Sequence, residues 1–521
     1  MPKTFFITTA IDYTNSPPLI GHAYEKVLAD VIARYHRLEG DQVFFLTGVD
    51  QHGQKVQQSA AKVGVSPSEF VKGVTQRFVE LWKKLEVKYD EWAETISPRH
   101  KKVVQGMLQR LFDEGQIYKD KQSGHYSVRQ EQFLTDKERG PDGQFGPEWG
   151  QVEFREEENY YFKLSQHKDW LLHYIDPAGA GQNAVIPDFR QTELRNAIER
   201  ISGDLCISRP KARLDWGIEL PFDKNFVTYV WFDALTNYIS FADYDPSASS
   251  FDLQPSTFLE KWPALQIIGK DILIPAHGIY WLIMLHAVGF PDEAMPQLLV
   301  HGWWNISGAK MSKSLGNAVD PSALADKYGA EAVRYYLMSD IAIGKDADFS
   351  EERLIERYNA DLANSLGNLL NRTLSMAHRY RDGVVKQAGG DSPLAAQAAD
   401  LLRGYNGAMA AYEIHAALER AGEFVTACNT YIEMAAPWKL AKDAARAEAL
   451  DHTLFALAES LRIIGILISP ILPNAAREIL YQLNWSRDYS LSDAKWGGLP
   501  TEHQLGKPVP LFPRFETPTS S

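Results

Sequence analysis

Apolar and polar positions change rhythm along these 521 residues, and each change marks a different kind of structure. Phe5 to Thr9 is a short apolar run, Glu25 to Arg37 places Val27, Leu28, Val31, Ile32 and Tyr35 on one helical stripe, and Val43 to Leu46 is apolar again. Strand, helix and strand in that order imply a right-handed crossover in a parallel sheet, with ligands held at the carboxyl ends of the strands. Tyr13, His22 and Asp50 each fall just after or beside an apolar run. From Gln116 to Arg213 the segments shorten and alternate with Gly and Pro turns, as in Arg139 to Pro147, which predicts a mixed insertion. The doubly wound pattern returns at Phe226 to Asp233 and at Leu265 to Ile268. His277 to Val288 reads as an apolar helix, and Leu298 to Val300 as the strand that delivers the next loop. After Phe349 strand signals nearly vanish, and stripes at Leu362, Leu366, Leu369 and Leu370, then Leu454, Leu457, Leu461, Ile464 and Ile468, predict a helical bundle.

The pattern therefore predicts an α/β chain: a Rossmann-like doubly wound parallel sheet split by a mixed insertion domain and followed by an α-helical bundle. The expected divisions are 1–115 and 214–325 for the two halves of the sheet domain, 116–213 for the insertion, 326–350 for a linking segment and 351–521 for the helices. Hydrophobic content of 45% with 23% charged residues is ordinary for a globular protein. The apolar segment near the N-terminus is too short for a signal sequence, and no later run approaches membrane-spanning length, so a cytoplasmic location is expected. Cys206 and Cys428 lie far apart and make neither a disulfide framework nor a C-x-x-C knuckle. The net charge of −13 argues against promiscuous polyanion binding, yet a local basic face is compatible with it, and arginines recur at helical spacing between Arg353 and Arg381.

The chemistry concentrates in two places. Lys310-Met311-Ser312-Lys313-Ser314, flanked by Gly308-Ala309 and Leu315-Gly316-Asn317, puts two ammonium groups on a loop of small residues that can close over a polyphosphate. Far upstream, Pro17-Pro18-Leu19-Ile20-Gly21-His22 opens a helix whose N-terminal N–H groups and imidazole face anions well. No nucleophile elbow and no Walker-type loop is present. His125 and His167 stand alone at irregular spacing, a poor basis for a metal site.

These two motifs resemble the HIGH and KMSKS signatures of class I aminoacyl-tRNA synthetases, and the surrounding residues are similar to the methionyl-tRNA synthetase family over nearly the whole chain. The resemblance implies activation of methionine by ATP, with Mg2+ accompanying the nucleotide, followed by transfer to tRNA(Met). It assigns catalytic roles to His22, Lys310 and Lys313, and ATP contacts to Gly21, His22, Lys310, Met311, Ser312, Lys313 and Ser314. The first position of the HIGH-like motif is Leu19, which removes one imidazole. The implied methionine site is Ala10, Ile11, Tyr13, Asp50, Trp231, Tyr238, His277 and Trp281, whose aromatic edges suit a polarisable thioether. Read without the family, Asp50 is more readily a helix N-cap than a ligand, and core packing accounts for the two tryptophans. Where the family commonly has proline, this chain has Leu235.

Family members often carry zinc knuckles in the insertion, but the matching region, Gln130 to Glu158, has no cysteine, so no structural zinc is expected. An insertion of about a hundred residues is the size of one small domain and too small for the editing domain of the branched-aliphatic enzymes. In the helical region the resemblance points to Asn368, Arg372 and Trp438 as anticodon contacts. Asn368 and Arg372 lie four apart on one helix face, and Trp438 offers a stacking platform. The chain ends soon after Leu511-Phe512-Pro513-Arg514, where some family members continue into a dimerising oligonucleotide-binding domain, so a monomer is expected; neither DNA nor a membrane is expected as a partner. The alternative function is a catalytically silent synthetase paralogue that binds tRNA, motivated by Leu19.

Overall fold

A computed structural model describes residues 4–127, 132–134, 136–140, 142–306, 308–311, 318–387 and 392–516. Its centre is a seven-stranded parallel sheet. Strand β1 (Thr4–Thr9) lies between β2 (Gln42–Asp50) and β3 (Ala264–Gly269), and β4 (Gln297–His301) follows β3. Asp12–Tyr13 and Glu91–Glu94 extend the β2 side, and Val185–Ile186 closes the other edge against β4. The chain leaves β1 in one direction for β2 and returns on its other side as β3. The carboxyl ends of β1 and β3 therefore flank the switch point, where such sheets open a crevice.

Two details depart from the sequence pattern. Phe226–Thr228 does not rejoin the sheet but pairs antiparallel with Ser208–Pro210, and the sheet resumes only at β3. A three-residue apolar run carries no information about its partner, which explains the error. Conversely, Val185–Ile186 comes from within the insertion segment and yet belongs to the central sheet. The rest of that segment forms an antiparallel sheet built on the long pairing of Ile117–Ser127 with Val152–Phe162.

Helix α1 (Ile20–Glu39) crosses from β1 to β2 with Ala23, Val27, Val31 and Ala33 fully buried, and Gly40 ends it in the left-handed conformation. It also receives the helical region. Arg334, with no exposed surface, ion-pairs with Asp30 Oδ2 of α1 at 2.7 Å and donates to the carbonyls of Leu85, Pro470 and Ile471. A buried guanidinium is tolerable only when most of its five donors are used, and these four bonds weld the bundle to the sheet domain. The bundle itself packs Leu362, Leu366, Leu369 and Leu370 with the 22-residue helix Ala447–Ile468, whose Leu454, Leu457, Leu461 and Ile464 are wholly buried. Outside the helices, Val384–Lys386 and Glu502–Gln504 form a small ribbon against the bundle. Among the described residues no helix is long and apolar enough to cross a membrane.

Candidate active site

A cavity of about 450 Å3 opens at the switch point, where Ala10 and Ile11 follow β1, and Asp271 and Ile272 follow β3. Its remaining wall includes Tyr13, Asp50, Tyr229, Trp231, Leu235, Asn237, Tyr238 and His277. Every proposed methionine residue except Trp281 thus lines one space. Trp281 is fully buried behind Tyr238, with ring centroids 5.7 Å apart, and donates from Nε1 to Gln266 Oε1 at 3.1 Å. It supports the wall rather than forming it. Lys55, Tyr229, Asn237 and Asp271 were missed in the sequence because no periodicity or motif sets them apart from neighbouring polar and aromatic residues.

Local geometry explains how the side chains converge. Tyr13 pairs in parallel register with Asp50, so the two stand side by side at the end of the sheet. Asp50 ends β2 and does not cap the next helix, whose N-cap is Gly53. Gly53 has φ +110°, and a Cβ there would come within 2.8 Å of the Tyr13 hydroxyl, so both backbone and space require glycine. The Asp50 carboxylate is buried and accepts the His52 N–H at 3.3 Å, while its carbonyl takes both the N–H and hydroxyl of Thr14 at 2.9 Å.

His277 holds the far wall. Its Nδ1 donates to the Ile272 carbonyl at 2.9 Å, which leaves Nε2 bare to accept the Tyr238 hydroxyl at 2.7 Å. Burial pushes the imidazole down to about 4 and raises the Tyr238 phenol well above its ordinary value, so both are neutral. A neutral hydrogen-bonded pair offers polarity without a charge that an apolar side chain would have to desolvate.

Under Ala10 lies a charged cluster that the sequence did not announce. Lys26, fully buried, donates to the Ala10 carbonyl at 2.8 Å, Asp12 Oδ1 at 2.8 Å and Glu25 Oε1 at 2.9 Å, and Glu25 Oε2 meets His301 Nε2 at 3.0 Å. Burial opposes the Glu25 charge, but Lys26 and His301 bring its carboxyl down to about 2. Asp12, whose Oδ2 is buried without a partner, is pushed by burial up to about 7 against the pull of Lys26. His301 ends β4, so the cluster joins the cavity floor to the strand that leads into the basic loop.

Gly21 and His22 occupy the first turn of α1, and His22 Nδ1 accepts the backbone N–H of Leu19 at 3.0 Å. That bond satisfies the Leu19 N–H, although leucine offers no side-chain acceptor to the N–H groups of the first turn, and it puts the ring proton on Nε2. Downstream, Trp304–Ile306 and Ala309–Lys310 form a hairpin in which Asn305 pairs with Lys310. Met311 is buried against the core, whereas Ser312, Lys313 and Ser314 lie outside the described residues.

Among the described residues the one group of three potential metal ligands in mutual reach is His36, Glu39 and Asp41, at the solvent-facing end of α1. His125 packs between Phe145 and Phe154, and His167 bonds Gln116 and stacks on Phe162. In the bundle Asn368 is exposed at the start of helix Asn368–Arg381, and Arg372 ion-pairs with Glu433 at 2.6 Å. Glu433 lies near the end of helix Ile414–Ala435, and the turn that follows carries Trp438. The indole is half-buried against the bundle core rather than fully exposed.

Comparison with known proteins agrees with this geometry. Residues 5–143 and 149–374 match the family described as tRNA synthetases class I (M), and residues 385–517 match the anticodon binding domain of methionyl tRNA ligase. The methionine–tRNA ligase of Deinococcus radiodurans is 41% identical over 99% of this chain and 75% of its own length. That of Bacillus subtilis is 39% identical over 99% of this chain and 78% of its own. The Mycobacterium tuberculosis methionyl-tRNA synthetase in complex with methionyl-adenylate superposes with a TM-score of 0.91 at 36% identity, covering 98% of this chain and all of that one.

Proposed function

Because the chain belongs to the class I methionyl-tRNA synthetase family, we propose the following division of labour among its residues. The protein is a methionine–tRNA ligase: it joins methionine to ATP as methionyl-adenylate and passes the acyl group to tRNA. The cavity at the switch point takes the methionine side chain against Tyr13, Trp231 and Tyr238, with Trp281 behind, while Ala10 and Ile11 form its floor. Asp50 receives the substrate ammonium and His277 keeps Tyr238 in place. The observation that carries this reading is the single cavity in which these residues meet, closed by an uncharged Tyr238–His277 pair.

In the first step a carboxylate oxygen of methionine attacks the α-phosphorus and pyrophosphate departs, which requires alignment and stabilisation of negative charge. The first turn of α1, with Gly21 and His22, faces the nucleotide. Lys310 and Lys313 with Met311, Ser312 and Ser314 close on the phosphates from the other side, and Mg2+ travels with ATP as part of the substrate. Leu19 removes the first imidazole of the motif and leaves His22, whose Nδ1 accepts the Leu19 N–H, as the one ring at this turn.

Asn368, Arg372 and Trp438 read the anticodon of tRNA(Met). The enzyme works as a cytoplasmic monomer without structural zinc, in keeping with the cysteine-free stretch from Gln130 to Glu158. Pyrophosphate exchange measured across the amino acids tests activity and specificity together. Methionine alone should support exchange, and Asp50→Asn should raise the methionine KM far more than that for ATP. Exchange driven equally by leucine or isoleucine would refute the assignment.

A further inference from the structure

We propose that Asp233 is a positioning residue for amino-acid binding, a hub that locks together the segments carrying Asp50, Trp231 and Tyr238. The inference rests on the assignment of the cavity to methionine. Asp233 is 1% exposed and does not touch the cavity. Its Oδ2 accepts His52 Nδ1–H at 2.7 Å, and its Oδ1 accepts His100 Nε2–H, also at 2.7 Å. His100 Nδ1 in turn meets the Ser240 hydroxyl at 2.8 Å.

Each contact leads to a different part of the cavity wall. His52 is two residues beyond Asp50 and bonds it through its own backbone N–H. Asp233 sits in the short helix Val230–Leu235, two residues after Trp231, and Ser240 ends the turn Asn237–Ser240 that contains Tyr238. His100, fully buried in helix Pro98–Asp113 and stacked on Phe241, spans the gap between the last two. Burial opposes ionisation of Asp233, but the two histidines bring its carboxyl down to about 2, so it is an acceptor on both oxygens at working pH. An ionised carboxylate also dictates which nitrogen of each ring carries hydrogen, which fixes both rings in orientation. Three buried ionisable groups are costly in a core unless all their bonds are made, so the chain of bonds has one geometry and transmits it to three parts of the wall.

The test is steady-state pyrophosphate exchange by the full-length protein, with a thermal melt of each variant. Asp233→Asn presents an amide N–H to one imidazole, which must change tautomer and shift. It should raise the methionine KM about tenfold while the ATP KM stays near that of the parent, with the melt showing the variant folded, though less stable, at the assay temperature. Ser240→Ala, at the end of the chain of bonds, should move the methionine KM in the same direction by less. If Asp233→Asn does not fold, His100→Gln decides by the same constants. A folded variant with unchanged methionine KM, or with methionine and ATP constants raised together, overturns the proposal. Trp231→Ala separates the two levels. Should it leave the methionine KM unchanged, the cavity assignment fails and the hub with it; should it raise that constant while Asp233→Asn does not, the hub alone fails.

Discussion

The cavity proposed to take methionine and the bundle face proposed to read the anticodon are built on opposite principles. Around the cavity the Tyr238–His277 pair and the Lys26 cluster are buried and committed to their partners, so that part of the wall is shaped before substrate arrives. On the bundle Asn368 is exposed, Arg372 makes one solvent-facing ion pair, and Trp438 is only half-buried. A small ligand can supply too little binding energy to order its own site, whereas an RNA brings many contacts and can reorganise surface side chains as it docks. On the proposed assignments, preformed selectivity belongs to the first region and adaptable reading to the second.

The sharpest way to break this contrast is to attack the step that neither region performs. Lys313→Ala should slow adenylate formation by about 10²- to 10³-fold, since its charge matters most as pyrophosphate leaves, while methionine still quenches tryptophan fluorescence at the same concentration. A loss confined to methionine affinity would mean that the basic loop shapes the cavity and that the two sites are not separable. Next in size is Trp438→Ala. Stacking contributes about 1–3 kcal/mol per base, so tRNA charging should fall about 10- to 100-fold with exchange intact. Since the indole also packs on the bundle core, a melt must accompany the assay, and parallel loss of both activities with an early melt would assign Trp438 to packing.

How much of this was legible beforehand follows the same divide. The strands around the switch point, helix α1 and the bundle stripes are long periodic segments, and the sequence pattern locates them to within a few residues. Short elements were not: Phe226–Thr228 was misplaced in the sheet and Val185–Ile186 was overlooked, because two or three residues cannot encode a partner. For the cavity, family resemblance named residues that the structure does bring together, but resemblance could not distinguish lining Trp231 from supporting Trp281. Buried polar partners such as Lys26, Asp12 and Asp233 were invisible for a physical reason. Their polarity reads as surface, and only tertiary structure reveals the compensating bonds.

A smaller perturbation probes how rigidly the cavity is preformed. Tyr238→Phe removes one hydroxyl and leaves His277 Nε2 buried without its donor, a loss of about 1–3 kcal/mol. The methionine KM should rise about tenfold and the ATP KM should not move. Equal methionine KM in the variant would show that the Tyr238–His277 bond is not needed to preform the wall.

The buried charges predict an acid limit with an unusual counterweight. Glu25 and Asp233, with carboxyls near 2 in the fold and ordinary values of 4.5 and 3.8, contribute stability at neutral pH that is lost as pH falls below about 5. His277 adds a loss between its ordinary 6.5 and about 4, because only the unfolded chain takes up that proton. Asp12 has the opposite sign. Its folded value near 7 exceeds the ordinary 3.8, so the fold gains stability as pH drops from about 7 towards 4 and loses it again as pH rises through 7. Asp12→Asn removes that penalty. Relative to the parent, its melting temperature should be higher at pH 8 than at pH 5 by an amount on the order of 2 °C. Parallel melting curves at the two pH values would show that Asp12 is ionised throughout.

The smallest effect bears most directly on the adaptable face. Glu433 holds Arg372 at 2.6 Å, but its own side chain is 61% exposed, and such pairs contribute only about 0.2–1 kcal/mol. On the anticodon role proposed for Arg372, the pair is a placeholder that RNA displaces. Glu433→Gln removes the competitor and a negative charge beside the approaching phosphates. The tRNA KM should therefore fall about two- to threefold at low ionic strength, with the difference fading in higher salt and methionine-dependent exchange unaltered. The sign is the informative part. If the tRNA KM rises instead, Glu433 is holding Arg372 in its reading position, and the bundle face is preorganised by the same logic as the methionine cavity.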